Sequence, residues 1–474
     1  MEKKNRSAYK AKSVEASNPK GWLYKSNGKP LDLAGPLEVL VKFSDTISIP
    51  YKEGAELHLK GENKKFWETL AVTYGKYIRL IPAFTGVKPE DLRALVEKAL
   101  KTNPKLQDAN LLNYFVIAKN IGSRKAKKLL LDLDNWPAVD KAFIELPTYV
   151  ASGSVNVSDP RVACQGYLEP APIGVDARHA WEVLDSCDPD NDPGSGEVFV
   201  DIEEDWPSNM PGTPLEFIED PANPCLHPNG GDANHGANVL RIVCGSDSTP
   251  GGLGIVPGLK VAKLVSSLCF GGARHTIVPA ALSLPSGGIM LIEVQVGTPF
   301  LPVEANYAAF AAIQTAVTGQ NIVCIVPAGN GEQDLDDIVQ FEERIFDRTV
   351  RDSGAIFVGA SIVVGDDHEP WSETNVGSII DTFAWGSNVY AYAADNGNPV
   401  SACPNSFGGT SSAAAIVAGV AIAAQHMSIK KTSVRKSSTA MRALLSTNGT
   451  DSVNGKSIDK IGTMPDLKKI DASI

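Results

Sequence analysis

The sequence predicts an α/β fold, a parallel sheet with helices on both faces, preceded by a small α+β N-terminal domain. The 474 residues exceed one typical domain, so two or three are expected. After residue 175, near-continuous apolar segments of strand length alternate with helical segments. That pattern is typical of a parallel sheet buried on both faces. Before residue 150, strands alternate with amphipathic helices in a smaller unit.

Composition shifts along the chain divide it into four parts. Residues 1–35 are polar and contain scattered Gly, Pro and Asn, which predicts a flexible arm. Residues 36–150 form the predicted α+β domain. Residues 151–175 are rich in Ser, Pro and Gly and are interpreted as a linker. Residues 176–474 form the predicted main α/β domain.

The N-terminal domain is predicted from alternating patterns. Its strands are LEVLVKFSD, YIRLIPAF, NYFVIAKN and DKAFIEL, and its helices are KKFWETLAVTYG, KPEDLRALVEKALKTNP and SRKAKKLLLDLDNW. The second helix has Pro89 near its first turn. Its apolar residues Leu92, Leu95, Val96 and Leu100 recur at helical spacing.

In the main domain the predicted strands are GEVFVDIEED, LKVAKLVSS, GIMLIEVQVG, NIVCIVPAGN and GAIFVGASIV. Helices are predicted over HGANVLRIVCG, EANYAAFAAIQTAVTG and residues 409–427. In such sheets ligands bind at the carboxyl ends of the strands. Polar residues at those ends are therefore the candidates for function.

Composition sets limits on the class of protein. Hydrophobic residues make up 43% and charged residues 21%, which indicates a soluble globular chain. No apolar run approaches the roughly 18 residues of a membrane span. The first 22 residues contain no apolar signal region, so we expect a cytoplasmic protein, with export left open. The seven cysteines form no CxxC pair, so we expect free core thiols and no zinc site.

Charge is distributed unevenly. Residues 1–150 contain 26 Lys and Arg against 17 Asp and Glu, whereas the remainder contains 18 against 38. One interpretation of the basic part is nucleic-acid binding, but no basic helix with interleaved aromatics supports it. The other is that the two parts of the chain complement each other across an interface.

Four polar residues lie at predicted strand ends or helix starts. Asp201 ends VFVD, His235 lies in GGDANHGANVL, Asn330 follows IVPAG, and Ser411 lies in FGGTSSAAAIVAG. Each alone has an ordinary explanation: a solvated acid, a polar helix start, a Gly-Asn turn and an N-cap. Together, in the order Asp, His, Ser, they match one of the known triad orders.

The sequence resembles the subtilisin-like serine peptidases (subtilases) over about residues 165–472. FGGTSSAAAIVAG resembles their Gly-Thr-Ser-x-Ala nucleophile motif, NHGANVL their histidine motif, VFVDIEEDW their aspartate motif and VPAGNGE their oxyanion motif. GIMLIEVQVG resembles the strand that pairs with an extended substrate. The resemblance implies a serine endopeptidase acting on proteins or peptides through an acyl-enzyme.

The resemblance implies a role for each candidate. Ser411 would be the nucleophile, His235 its general base, and Asp201 the acid that orients His235. The Asn330 amide and the Ser411 N–H would form the oxyanion hole. Residues of the substrate strand would line the cleft, namely Gln295, Val296 and Gly297.

Three departures from the family pattern are present. Ala415 replaces a proline after the nucleophile motif, Ile202 and Glu203 replace Thr-Gly after the aspartate, and Asn238 replaces a second histidine. They leave a second hypothesis, a catalytically silent subtilase fold that acts as a binding module. The extra acids after Asp201 suggest a preference for basic substrates, because clustered negative charge attracts cations.

The resemblance also suggests a role for the first 150 residues. Many subtilases carry an N-terminal prodomain that assists folding and then inhibits, and the α+β pattern and the charge split fit such an intramolecular partner. Cleavage would fall in the linker. A permanent accessory domain is the alternative. No cofactor or metal motif is predicted; calcium, bound by the acidic loops 185–205 or 332–337, remains an open alternative.

Overall fold

The structure of the chain is a computed structural model. It describes residues 20–31, 33, 37–75, 78–106, 108–150, 165–184, 193–208, 210, 215–220, 225, 231–245, 253–391 and 406–474.

The described elements are numbered in chain order. The strands are β1 (Tyr24–Lys25), β2 (Leu37–Phe43), β3 (Ile78–Pro82), β4 (Tyr114–Ile121), β5 (Val139–Glu145), β6 (Thr148–Val150), β7 (Val198–Glu203), β8 (Leu215–Phe217), β9 (Val261–Ser266), β10 (Ile289–Ile292), β11 (Val294–Val296), β12 (Leu301–Pro302), β13 (Val323–Pro327), β14 (Ile338–Gln340), β15 (Glu343–Arg344), β16 (Ile356–Val364), β17 (Asp367–Pro370), β18 (Thr382–Trp385), β19 (Val389–Tyr390), β20 (Ser406–Phe407), β21 (Gly449–Asp451) and β22 (Thr463–Pro465). The helices are α1 (Gly61–Tyr74), α2 (Pro89–Thr102), α3 (Ser123–Asp134), α4 (Ala177–Leu184), α5 (Ala233–Cys244), α6 (Ala273–Leu282), α7 (Tyr307–Gln320), α8 (Gly409–Thr432), α9 (Ser438–Thr447), α10 (Lys456–Asp459) and α11 (Leu467–Ser473).

The main domain is built on one large sheet, as predicted. Its strand order is β21-β22-β18-β16-β13-β10-β7-β9-β8, and β17 pairs with β16 at one side. The strands β18, β16, β13, β10, β7, β9 and β8 run parallel to one another. The five strands predicted for this domain are among them, because uninterrupted apolar runs suit strands buried on both faces.

The two faces of this sheet bury different cores, and the alternation of side chains along β7 divides them. Val200 and Ile202 point to the face covered by α6, α7 and the N-terminal domain. Phe199 points to the opposite face, which α4, α5 and α8 cover. Because alternate residues share a face, Asp201 and Glu203 lie on the Phe199 side. Both acids therefore point toward helices α5 and α8.

Helix α8 is the central helix of that second core. Its residues 409–428 are buried, and 94% of its most apolar 18-residue window lies inside the protein. By length and composition alone it could cross a membrane. Here its apolar surface packs on the sheet and on neighbouring helices, which is the environment of a core helix in a globular domain.

The N-terminal domain is a four-stranded antiparallel sheet of order β3-β4-β2-β5 with helices α1, α2 and α3. Each predicted strand and helix of this unit is present. Its core is continuous with that of the main domain, and α2 packs against the apolar helix α7. The two units are therefore in intimate contact along one face.

The segment before this domain is not a free arm over the part described. Trp22 and Leu23 are both 2% exposed, and β1 pairs antiparallel with β14 of the main domain. The prediction of a flexible arm over residues 1–35 is wrong for residues 20–31, because the arm contains a Trp-Leu pair that the core buries. Residues 1–19 lie outside the described part.

Two of the four cysteines that the structure describes are bonded, contrary to the expectation of free thiols. Cys225 and Cys269 form a disulfide, whereas Cys244 and Cys324 are free and buried. The remaining three of the seven cysteines lie outside the described residues. The sequence spacing of 44 residues carries no recognisable motif, so pairing could not be predicted from the sequence alone.

The ion pairs between the two domains are the reverse of what their net charges suggest. Arg274, from the acidic main domain, is 3% exposed and pairs with Glu38 at 2.8 Å and Glu145 at 3.1 Å. Its Nε also donates to the carbonyl of Ala83 at 3.1 Å. The buried guanidinium of Arg274 thus bonds to three groups of the N-terminal domain. The complementary net charges of the two domains act only at longer range.

Candidate active site

Ser411 is the third residue of α8 and is completely buried. The chain enters the helix through Gly409, whose φ of +85° favours glycine, and the capping position is Gly408, which offers no side chain. The Ser412 hydroxyl donates to the carbonyls of Trp385 and Gly409. The Ser411 hydroxyl has no hydrogen-bond partner among the described residues. The N-cap interpretation therefore does not explain Ser411.

His235 lies in the first turn of α5. The side chain of Asp232 caps this helix by accepting bonds from the N–H groups of Asn234 and His235. The imidazole is 2% exposed and packs edge-on against Phe407, with ring centroids 5.0 Å apart. Phe407 lies four residues before Ser411. The start of α5, which contains His235, and the start of α8, which contains Ser411, are therefore close together.

The acid that contacts His235 is Glu203. His235 Nδ1 lies 2.5 Å from Glu203 Oε1, and both side chains are buried. Asp201 instead accepts a bond from Trp206 Nε1 at 3.0 Å through Oδ2. The prediction that Asp201 orients His235 disagrees with these contacts, because Asp201 lies two residues before the end of β7 and Glu203 occupies that end.

A sequence signal for Glu203 was present. Alternation along VFVDIE puts residues 199, 201 and 203 on one face, so two acids were candidates for the same role. Ligand sites lie beyond the carboxyl ends of parallel strands, which favours the later acid. The motif resemblance points to Asp201. The longer side chain of Glu203 lies two residues further along β7, nearer to the carboxyl end of the strand.

Burial has the largest effect on the pKa values of His235, Asp201 and Glu203. It lowers the pKa of His235 to about 4, against smaller opposing effects from Asp232 and Asp201. Burial also raises the pKa of Asp201 and that of Glu203 well above their usual range. The imidazole is therefore neutral at physiological pH, as a general base requires.

Asn330 lies directly beyond β13 and is 8% exposed. Its Oδ1 accepts from the Thr410 N–H at 3.0 Å and the Thr410 hydroxyl at 2.8 Å, which fixes the side chain beside Ser411. Its backbone N–H donates to Gln295 Oε1 at 2.9 Å. Because its oxygen faces Thr410, the amide N–H₂ points away from Thr410.

The predicted substrate strand is β11, and the chain's own N-terminal domain pairs with it. In an antiparallel ladder, Val294 faces Val150, Gln295 faces Tyr149 and Val296 faces Thr148. The N–H of Gly297, where φ is +72°, donates to the carbonyl of Pro147 at 3.0 Å. A cavity of about 260 Å³ adjoins Thr148 on its other side, lined by Ser267, Leu268, Gly271, Gly272, Arg274 and residues of the N-terminal domain.

Most of the acids near Asp201 are not placed to attract a basic substrate. Asp201 and Glu203 are fully buried and Asp205 is 8% exposed, so these three present little charge to solvent. Glu204 is partly exposed, so the expected preference for basic substrates depends on this one acid. In the loop 332–337, Asp334 and Asp336 both pair with Lys460 at 2.8 Å, which occupies the carboxylates that calcium would need.

No group of three or more His, Cys, Asp or Glu side chains that could hold a metal ion is present in the described part of the chain. Residues 185–192 of the other acidic loop fall outside that part, so calcium binding there stays a prediction.

Sequence reasoning missed one further acid, Glu293, between β10 and β11. It is completely buried, and the Ser411 hydroxyl is near enough to lower its pKa, although the two groups lie outside hydrogen-bond geometry. A glutamate inside the apolar run GIMLIEVQVG is out of pattern for a buried strand. That was the signal available in the sequence.

The sequence profile of the subtilase family, peptidase S8, matches residues 219–463. The chain belongs to the subtilase family. The match includes His235, Asn330 and Ser411 and begins after Glu203. A comparison with curated protein sequences gave no match.

One solved structure shows the same fold, and others are similar to part of the chain. Fervidolysin from Fervidobacterium pennivorans, a keratinolytic enzyme related to subtilisin, superposes with a TM-score of 0.55 at 15% identity over 96% of this chain. The chain spans 64% of the fervidolysin chain. MycP1 from Mycobacterium smegmatis matches with a TM-score of 0.45 at 15% identity, covering 69% of this chain and 90% of its own. A protease from Pseudoalteromonas arctica matches with a TM-score of 0.44 at 16% identity, covering 68% and 99%.

Proposed function

We propose that the chain hydrolyses peptide bonds with Ser411 as nucleophile, His235 as general base and Glu203 as the acid that orients His235. The observation that carries the proposal is the 2.5 Å contact between His235 Nδ1 and Glu203 Oε1. A carboxylate on Nδ1 fixes the tautomer in which Nε2 is the basic nitrogen. Nε2 is buried without a partner among the described residues, so it remains available to the serine.

The proposed steps follow from these positions. The Ser411 Oγ attacks the substrate carbonyl carbon while its proton passes to His235 Nε2. Glu203 stabilises the resulting imidazolium through Nδ1. Collapse of the tetrahedral intermediate breaks the C–N bond, and the proton on Nε2 goes to the leaving amine. Water then hydrolyses the acyl-enzyme, with His235 again accepting a proton. The Ser411–His235 contact is not formed in the structure, and such contacts often tighten only when substrate binds.

Substrate binding and charge stabilisation would come from adjacent elements. An extended peptide would add to β11 as a strand, with bonds to the backbone of residues 294–297. The Asn330 amide and the Ser411 N–H, at the positive end of α8, would stabilise the oxyanion. Gln295 would act indirectly, since its buried side chain holds the backbone of Asn330.

We propose further that the N-terminal domain is an intramolecular prodomain. Residues 147–150 occupy β11 as a substrate strand would, which supports inhibition in place. Asn306 holds the preceding residue by a pair of bonds to the Leu146 backbone, at 2.7 and 3.0 Å. Cleavage would fall just beyond Val150, within the predicted linker, whose residues 151–164 lie outside the described part. A permanent accessory domain is the alternative.

The test is the intact mass of purified wild type beside Ser411→Ala, combined with labelling by a fluorophosphonate. We expect wild type to be shortened within residues 140–175 and labelled at Ser411, and the variant to remain full length and unlabelled. Two full-length, unlabelled proteins would favour the silent binding module. A labelled but full-length wild type would favour the permanent accessory domain.

The compartment in which the protein acts is also a proposal. The disulfide between Cys225 and Cys269 favours an oxidising compartment, because such bonds are rare in reducing cytosol. It therefore supports export over the cytoplasmic location expected from the sequence.

A further inference from the structure

Glu293 lies where the chain leaves the central sheet to form the substrate strand. Its N–H donates to the carbonyl of Ile202 at 2.9 Å, and β10 pairs with β7 so that Leu291 faces Asp201. Continuing this register places residue 293 level with Glu203. Neighbouring strands are about 4.8 Å apart and side chains in register share a face, so the two glutamates are lateral neighbours.

This carboxyl group has no ordinary structural partner. Glu293 is completely buried, and neither of its oxygens has a hydrogen-bond partner among the described residues. The buried hydroxyl of Ser411 likewise has none, and it is the polar group of α8 that acts on Glu293. Two buried polar groups without hydrogen-bond partners, one of them the proposed nucleophile, call for a functional explanation.

The charged groups around Glu293 all favour its neutral form. From β7 it is faced by Asp201 and Glu203, and His235 of α5 lies beyond Glu203. Among the described residues, no Lys or Arg bonds to either oxygen of Glu293. Burial, reinforced by the two neighbouring acids, raises the pKa of Glu293 well above its usual range. Of the three acids, Glu203 alone has both a histidine and a backbone N–H, that of Glu204, to stabilise a negative charge.

We propose that Glu293 is a positioning residue that works as a neutral carboxylic acid, orienting the Ser411 hydroxyl and confining the negative charge of the cluster to Glu203. Its O–H is the donor toward Ser411 Oγ, which turns the serine's own proton toward His235. No bond is made or broken at Glu293. The inference rests on the proposed function, since it concerns the same serine.

Ionisation of Glu293 would oppose the reaction in two ways. A second negative charge would lie beside the developing oxyanion, and like charges at this range disfavour each other. The donor that orients Ser411 would also be lost. Activity should therefore decline on the alkaline side as Glu293 loses its proton, in addition to any effect of the other groups.

The experiment compares kcat and KM from pH 4 to 11 for wild type, Glu293→Gln and Glu293→Ala, each after maturation, on one fluorogenic peptide. Glutamine keeps a neutral donor of the same size and cannot ionise. We expect Glu293→Gln to retain kcat within about threefold at pH 7 and to lose the alkaline decline. Glu293→Ala should lower kcat about 10- to 100-fold with KM changed less than threefold, since positioning acts on the chemical step.

Glu304→Gln is the matched control. Glu304 is another buried glutamate bonded to a serine, with 2.5 Å between Ser353 Oγ and Glu304 Oε1, but it lies outside the active site. Its pH–activity profile should match wild type. Fluorophosphonate titration counts the active sites of each variant that can be labelled, and thermal unfolding shows whether the variant is folded. A folding defect is therefore not mistaken for lost catalysis.

Two results would overturn the inference. One is equal losses in Glu293→Gln and Glu293→Ala per labelled site, which would mean that size alone matters. The other is an alkaline decline that persists unchanged in Glu293→Gln. If wild type itself neither takes the label nor cleaves peptide, the proposed function fails instead.

Discussion

His235 Nδ1 contacts Glu203, the last residue of β7, and the aspartate two residues earlier on the same face contacts Trp206. These contacts distinguish Glu203, which bonds to His235, from Asp201, which does not; the motif alone could not make this distinction. Glu203 reaches the histidine because it ends the strand and has the longer side chain. Asp201 is deeper in the sheet, where Trp206 satisfies one of its oxygens.

The first prediction follows directly. Glu203→Gln should lower kcat/KM about 10³- to 10⁴-fold, because removing the acid leaves the wrong tautomer of the base. Asp201→Asn should cost less than about tenfold. Steady-state peptide hydrolysis by the two variants checks this. The reverse ranking would restore Asp201 as the acid of the triad.

A second prediction concerns the oxyanion donor. Asn330→Ala should reduce kcat about 10²- to 10³-fold with little change in KM, because the lost bond forms mainly in the transition state. Thr410→Val is the control, since it removes one of the bonds that hold the amide and keeps the amide itself. A loss below about tenfold is expected for it. If Asn330→Ala cost no more than Thr410→Val, an oxyanion role would be untenable.

The third prediction is the titration of His235. Because burial lowers the pKa of this imidazole to about 4, its ring signals in Ser411→Ala should titrate near pH 4 by NMR. His235 is then charged only below that pH, and general-base activity in wild type should fall as the pH drops through the same range. A midpoint at or above 6.5 would contradict the structural account of the site.

The fourth prediction uses Glu304 to test the pH dependence of stability. Burial raises the pKa of Glu304 to about 7, so the folded state holds a proton that the unfolded state releases near pH 4.5. This contribution is fully present below pH 4.5 and is lost as the pH rises to 7, a change of about 3 kcal/mol. Urea unfolding of Ser411→Ala with and without Glu304→Gln, at pH 5 and pH 8, measures it. The added substitution should flatten the difference between the two pH values.

The fifth prediction concerns the disulfide. Replacing Cys225 and Cys269 with serine should lower the free energy of unfolding by about 2–4 kcal/mol, because the bond closes a long loop. Cys269 belongs to the loop that borders the cavity beside Thr148, so KM should rise as well. Dithiothreitol should reproduce both effects in wild type and leave the double variant unchanged. No change in either protein would show that the bond has no role in stability.

Strong periodicity made most of the fold predictable. The parallel strands of the main domain, helix α2 and the N-terminal sheet follow from apolar runs and helical spacing. The burial of Trp22 did not, because β1 pairs with β14 more than 300 residues away, and local composition carries no signal of that contact. The same is true of the Cys225–Cys269 bond.

The site was predictable to the extent that motifs mark single residues. His235, Asn330 and Ser411 lie where the motifs place them, at helix starts and a strand end of one sheet edge. The choice between Asp201 and Glu203 needed the pleat of β7, and Glu293 needed the register between β7 and β10. Both depend on pairing between distant strands, which a single sequence specifies only indirectly.

The burial of α8 has a consequence for biosynthesis. The histidine and its acid emerge from the ribosome early, whereas the serine follows 176 positions later, on a helix that must be enclosed by the sheet and by α9 and α11 before it is held in place. A nascent or truncated chain therefore has no nucleophile in position. The proposed nucleophile can therefore be held in place only after α8 and the elements that enclose it have been synthesised.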